Sequence, residues 1–312
     1  MDGRRGRQLV AGLIAGVALV LGTGPGAVAA SGDVVCDGGT QHSAQLAHTR
    51  VAGDLVVAPG TGCWLDHVFI AGRLVVSADG ATANLLSTEV AGDTIVGDPA
   101  VVGTSLFAKR STFGTLTVQG DASVELDYST VRATTSGTVG IFAAFGAKLG
   151  DVDLVAAPSL APRGLVGSVR IYSTRVRGDV HSSGVQLMLS AVRVDGDLRV
   201  VDPFATTPRA GAPGYWAVQL CQTVVVGPAR VVRSHGLVAI GAHPDGPALA
   251  CDPSLRGPIS LGTLSVVDSF HAVTVANTTV QGDLRCYGNS GPRGVDASGA
   301  TVTGARLGQC AS

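Results

Sequence analysis

The chain has 312 residues, a formal net charge of −1 and only 14% charged residues. That balance excludes nucleic-acid binding and electrostatic membrane attachment, both of which need a basic surface. Hydrophobic residues reach 46% with aromatics at only 4%, so Val, Ala, Leu and Ile supply the apolar mass alongside 44 glycines; a narrow core of stacked aliphatic rows suits this composition.

Taken in chain order, the first element is an export signal. Arg4, Arg5 and Arg7 precede the apolar run 9–21, and Ala27-Val28-Ala29 offers small residues for cleavage. The run is short of the ~20 apolar residues that span a bilayer. Residues 1–29 are therefore expected to be a signal peptide, and no membrane span is expected after its removal. Cys36 follows Asp33-Val34-Val35, which lacks the small residue that lipidation needs, so it reads as a structural cysteine.

From residue 30 to 312 one unit recurs: an apolar residue, a variable residue, Gly, a polar residue, then alternating apolar positions. It reads Val51-Ala-Gly-Asp-Leu-Val-Val57, Ile70-Ala-Gly-Arg-Leu-Val-Val76, Val90-Ala-Gly-Asp-Thr-Ile-Val96, Val176-Arg-Gly-Asp-Val180, Val194-Asp-Gly-Asp-Leu-Arg-Val200 and Val280-Gln-Gly-Asp-Leu284. Gly53, Gly72, Gly92 and Gly114 are spaced by 19, 20 and 22 residues. Apolar alternation with period 2 marks strands with one buried face, and Val and Ile favour extended backbone. The expected fold is all-β, a right-handed parallel β-helix (β-solenoid) of about eleven coils of ~20 residues. One corner is expected at the repeat Gly, through positive φ, with the next Asp bonding nearby N–H groups. A second corner is expected at Ser87-Thr88, Tyr128-Ser129-Thr130, Tyr172-Ser173-Thr174 and Asn277-Thr278-Thr279. Pro/Gly-rich inserts interrupt the coils at 156–164, 202–215 and 241–258.

Six cysteines in an exported chain imply three disulfides. Cys36–Cys63, Cys221–Cys251 and Cys286–Cys310 are 27, 30 and 24 residues apart, each about one coil plus a short insert. Neighbouring coils lie about 4.8 Å apart, within disulfide reach, so pairing in sequence order is expected, as rungs between adjacent coils. Zinc is disfavoured because no C-x-x-C or paired-His spacing is present.

The stretch Val280-Gln-Gly-Asp-Leu-Arg-Cys-Tyr-Gly-Asn289, then Val302-Thr-Gly and Gly308-Gln-Cys310, resembles a group of secreted actinobacterial proteins with V-x-G-D/N-[LV] repeats and a cysteine-bracketed tail. Gly62-Cys63-Trp64-Leu65 is similar to their first coil. More loosely, the coils resemble bactofilin-type polymers and the pectate-lyase-like superfamily. The resemblance implies a right-handed parallel β-helix and brings no activity with it.

Candidate chemistry is sparse. Asp54, Arg73 and Asp93 follow the repeat Gly and would pair charges along the rod, whereas Asp151, Asp179 and Asp197 would stack like charges, a candidate calcium site. The bland reading is that each Asp caps its own turn. A polysaccharide lyase or hydrolase would use Asp151-Val-Asp153 and Asp195-Gly-Asp197, with Ser234-His235-Gly236 and Arg233 nearby, but no aromatic platform for sugar rings is evident. Arg177-Gly178-Asp179 spells an adhesion tripeptide but is the repeat's own corner, and the sequon at Asn277 falls in a regular coil. His235, His243 and His271 form the one conceivable histidine metal set, Trp64 is expected to cap the first coil, and Tyr215-Trp216 is the candidate exposed contact for sugar or protein.

The expectation is a secreted, monomeric, non-catalytic β-solenoid, extracellular or envelope-associated. It would have no cofactor unless calcium, and would act as a structural or binding module for cell-wall or extracellular glycan or protein. A β-helix polysaccharide lyase or hydrolase is the alternative. End-to-end polymerisation, as in bactofilins, is opposed by the end disulfides and the inserts.

Overall fold

The computed structural model describes residues 29–37, 43–160, 166–204, 216–241, 251, 259–291 and 294–311. Residues 1–28 and most of the three inserts, Tyr215 and His243 among them, lie outside the described residues.

The Val- and Leu-rich alternation folds as predicted. Strands account for 60% of the chain, every pairing is parallel, and the chain winds as a right-handed β-solenoid of about twelve turns. Each regular turn has three faces. A long face is built from strands such as Gly62–Asp66, Thr82–Leu86 and Ser105–Lys109. A short face holds pairs such as Arg50–Val51 and Phe69–Ile70, and a third face holds triplets such as Leu55–Val57 and Leu74–Val76. Strand spacing of about 4.8 Å makes the rod roughly 55 Å long.

Register stacks like positions into columns. On the short face Val51, Ile70, Val90 and Phe113 succeed one another inward, all buried. On the long face Leu65, Leu85, Ala108, Leu126, Ala144 and Ile171 do the same. Each buried Val, Leu or Ile contributes about 1.5–3 kcal/mol, so mostly aliphatic columns hold the rod. Phe113 and Phe142 are the bulkiest fully buried side chains.

The two corners work differently from each other, and one differs from expectation. The repeat glycines Gly53, Gly72, Gly92, Gly114, Gly178, Gly196, Gly282 and Gly304 do not have positive φ. They are needed because the preceding coil lies where a Cβ would go. At Gly53, Gly72, Gly178, Gly196 and Gly304 that neighbour includes the Oδ1 of an Asp, and the same carboxylate oxygen accepts the backbone N–H that follows the Gly. Asp54 N–H donates to Asp33 (2.9 Å), Arg73 N–H to Asp54 (2.7 Å), Asp179 N–H to Asp151 (3.0 Å), Asp197 N–H to Asp179 (2.8 Å) and Ala305 N–H to Asp283 (3.0 Å). Each such Asp therefore caps the turn of the next coil rather than its own.

The positive φ lies at the other corner, at non-glycine residues: His48, His67, Ser87, Arg110, Tyr128, Ser173, Ala191 and Gln222 have φ between 48° and 54°. A left-handed L-residue costs about 1–2 kcal/mol. The buried Ser or Thr that often follows offsets this by closing the corner with its hydroxyl. Thr88 donates toward Leu86 O and, in the coil before, Leu65 O (3.2 and 3.1 Å); Ser129 does so toward Asp127 O and Ala108 O (3.1 and 3.0 Å).

The disulfides pair in sequence order, with Cα–Cα distances of 6.1, 5.4 and 5.3 Å. They are not rungs between register partners. Cys36 sits opposite Val57 on the third face, whereas Cys63 sits between Ala44 and Ala83 on the long face, so their bridge crosses the core. Cys251 brings an insert back to the long face at Cys221. Cys286 pairs in register with Gly308, and its bridge reaches the following turn at Cys310, drawing the tail across the last coil.

Candidate binding face

Because strand side chains alternate, every second residue of the long face points outward and stacks on its equivalent in the next coil. One outward column runs Gln45, Trp64, Asn84, Phe107, Glu125, Ala143, Arg170 and Met188. Its neighbour runs Asp66, Leu86, Lys109, Asp127, Phe145 and Tyr172. This face carries five of the chain's few aromatic side chains: Trp64, Phe107, Phe145, Tyr172 and Trp216.

Trp64 does not cap the first coil. It projects from the strand Gly62–Asp66 and is 58% exposed, a heavy exposure for the largest apolar side chain. Phe107, 40% exposed, stands two rungs away, roughly 9.6 Å by strand spacing, with the amide of Asn84 between them. Leu86, Lys109, Glu125 and Asp127 complete a groove of about 340 Å³. Lys109 and Asp127 form an ion pair at 3.5 Å along one rim. Farther along the same face the Phe145 and Tyr172 rings stack at 5.0 Å, 3° from parallel. Beyond them Ser168, Arg170, Tyr172, Gln186, Met188 and Trp216 line a second, smaller recess of about 180 Å³. An aromatic platform is thus present, contrary to the sequence expectation. Its successive aromatic residues lie 27 to 44 positions apart in the chain, and only the coil register gathers them.

The other predicted site residues are placed as follows. Asp151, Asp179 and Asp197 do stand in one column, at successive corners. Among the described residues, however, the group of three or more His, Cys, Asp or Glu side chains whose ligand atoms lie within 4.8 Å of one another is His48, Asp66 and His67, not the three aspartates. The Oδ1 atoms of Asp151 and Asp179 are engaged by backbone N–H groups, whereas Asp197 Oδ1 lies over Gly227, whose successor Pro228 has no N–H to offer. Asp153 pairs with His181 at 3.1 Å, and Asp195 is gripped by Arg175 (2.8 Å) and Arg193 (2.6 Å), which hold its carboxyl below the usual range.

Around Ser234-His235, Ser234 is buried and its hydroxyl donates to Gly236 O at 2.9 Å. Arg233 is clamped on Asp202 by two hydrogen bonds of 2.6 and 2.7 Å. His235 lies between the rings of Phe204 (4.3 Å) and Phe270 (5.0 Å), while His243, a member of the expected histidine set, falls outside the described residues. Trp216 opens the strand Trp216–Cys221, half-buried, with its carbonyl accepting from Gln186 Nε2 at 2.7 Å. The expected pairing of Asp54 with Arg73 is present at 2.7 Å, and Thr115 rather than a cation donates to Asp93.

Comparison with known protein families, with curated proteins and with solved structures found no match.

Proposed function

We propose that the protein is a secreted, non-catalytic binding rod whose long face holds an extended glycan, with Trp64 and Phe107 as the main contacts. The observation that carries this reading is the exposed Trp64–Asn84–Phe107 column. Two apolar ring surfaces bracketing an amide suit a sugar, whose C–H faces stack on aromatic rings while its hydroxyls bond to Asn84 and to the charged rim. The 4.8 Å rungs repeat along one direction, as sugar residues do in a chain, and the Phe145–Tyr172 stack extends the apolar surface toward the second recess. Three disulfides suit folding in an oxidising compartment, and the arginine-led apolar start of the sequence suits export. The non-catalytic reading is supported by the engagement of Asp151, Asp179, Asp195 and Arg233 in bonds between coils, and of the Ser234 hydroxyl within its own turn.

The test is co-sedimentation and calorimetry of the purified chain with cell-wall and plant polysaccharides, alongside Trp64→Ala/Phe107→Ala. Saturable binding that the double variant loses about 10-fold or more, with an unchanged circular dichroism spectrum, is the expected result; at about 0.5–1.5 kcal/mol per stacked ring, the two rings together contribute about 1–3 kcal/mol, which brackets that change. Absence of binding to every glycan, or full retention by the variant, would overturn the proposal. Release of new reducing or unsaturated sugar ends would replace it with the enzymatic alternative.

A further inference from the structure

We infer that His48, Asp66 and His67 form a binding site for a divalent transition-metal ion of the zinc class, at the edge of the long face. His48 and His67 occupy the same left-handed corner in consecutive coils, with φ of 50° and 54°. That equivalence puts their side chains one rung apart and aims them the same way. Their rings lie 5.1 Å apart and 21° from parallel, and the Asp66 carboxylate reaches His67 Nδ1 at 2.6 Å. One ligand atom from each residue falls within a 4.8 Å group, which small rotations of exposed side chains bring to the spacing around a tetrahedral ion. The backbone beneath is fixed: His48 N–H donates to Asp66 O and His67 N–H to Leu86 O, both at 2.9 Å.

The corner itself does not call for histidine. Equivalent positions are filled by Ser87, Arg110, Tyr128, Ser173, Ala191 and Gln222 with the same φ. Two successive imidazoles beside a carboxylate are therefore a local chemical feature superimposed on a generic turn. Two nitrogens and one oxygen suit zinc, copper or nickel and disfavour calcium and magnesium, which prefer oxygen alone. Three protein ligands leave a fourth position for water or an outside ligand. Asp66 is the register partner of Leu86, so the ion would sit beside the Trp64–Phe107 groove. The inference stands apart from the glycan reading, since the metal test needs no sugar.

The experiment is a zinc chloride titration by calorimetry of the chelator-treated, tag-free full chain, with thermal melts in parallel. One zinc ion bound per chain and a raised melting temperature are expected, with calcium chloride producing neither. His48→Ala/His67→Ala removes only exposed side chains and should abolish both signals while leaving the apo-protein melt in place. Asp66→Asn should weaken binding about 10- to 100-fold, and His181→Ala/His235→Ala should leave it unchanged. No saturable zinc binding, equal binding of calcium, or binding that survives His48→Ala/His67→Ala would overturn the site.

Discussion

Glycine and aspartate at the repeat corner act as one device across two coils. An Asp side chain reaches the next coil, occupies the space over its Gly, and accepts the N–H just beyond. Gly178 isolates the effect, because the three heavy atoms nearest to a Cβ at that position all belong to Asp151. Gly178→Ala is expected to destabilise the protein by about 1–3 kcal/mol through overpacking, although φ there is ordinary. Asp151→Ala removes the obstacle together with the acceptor for Asp179 N–H, at about 1 kcal/mol. The double variant should therefore be less destabilised than the sum of the two, by at least about 0.5 kcal/mol in urea melts. Additive effects would mean that the Gly is needed for some reason other than the carboxylate above it. The Gly-Asp dipeptide was legible in the sequence, but its partner was not: a contact between coils 18 to 28 residues apart has no local signature, so the same letters fit a positive-φ corner equally well.

At the scale of the coil, charge pairs add to backbone pairing. Asp54 is held by the guanidinium and backbone N–H of Arg73, Asp195 by Arg175 and Arg193, Asp202 by Arg233, and Asp283 by Arg285 and Ala305 N–H; each carboxyl is pulled below its usual range. A carboxyl with a depressed pKa in the folded state binds protons less readily than in the unfolded chain. Its stabilisation is complete above the ordinary aspartate value of about 3.9 and is lost as pH falls through the lower folded-state values. Melting temperature is thus expected to hold from neutrality down to about pH 4 and to fall below it. Arg73→Ala should flatten that acid decline as well as lower the plateau. An unchanged acid limb in Arg73→Ala would show that this pair contributes nothing to it. The Asp54–Arg73 pair could be anticipated from the one-coil spacing of 19, as could the His48–His67 pair at the same spacing. The second was missed because histidine metal spacing is usually sought within one helix or loop, not across a coil.

For the molecule as a whole, the ends are the exposed parts of a solenoid, where a terminal coil has a neighbour on one side only. Cys36–Cys63 crosses the core of the first coils and Cys286–Cys310 draws the tail over the last, whereas Cys221–Cys251 ties an insert to a coil flanked on both sides. Each closed loop contributes about 3.5 kcal/mol by loop entropy. Cys36→Ala/Cys63→Ala should therefore lower the denaturant midpoint and speed amide exchange in residues 43–57. Cys221→Ala/Cys251→Ala should leave exchange in the flanking strands close to that of the parent. Equal losses in both variants would deny the ends their special role.

The sequence by itself determined the solenoid, its coil length, its second corner and the order of disulfide pairing. All of these follow from local alternation and from spacings that repeat at a fixed period. Only the tertiary structure decided what stands beside what on the surface. Trp64, Asn84 and Phe107 become neighbours through register, and a single residue more or less in an intervening turn would displace them. For the same physical reason the Cys36–Cys63 disulfide crosses the core instead of linking a rung, and the aspartate column caps neighbouring turns. Period sets the fold of a solenoid, but register sets its chemistry, and register is a property of stacked coils that no one coil contains.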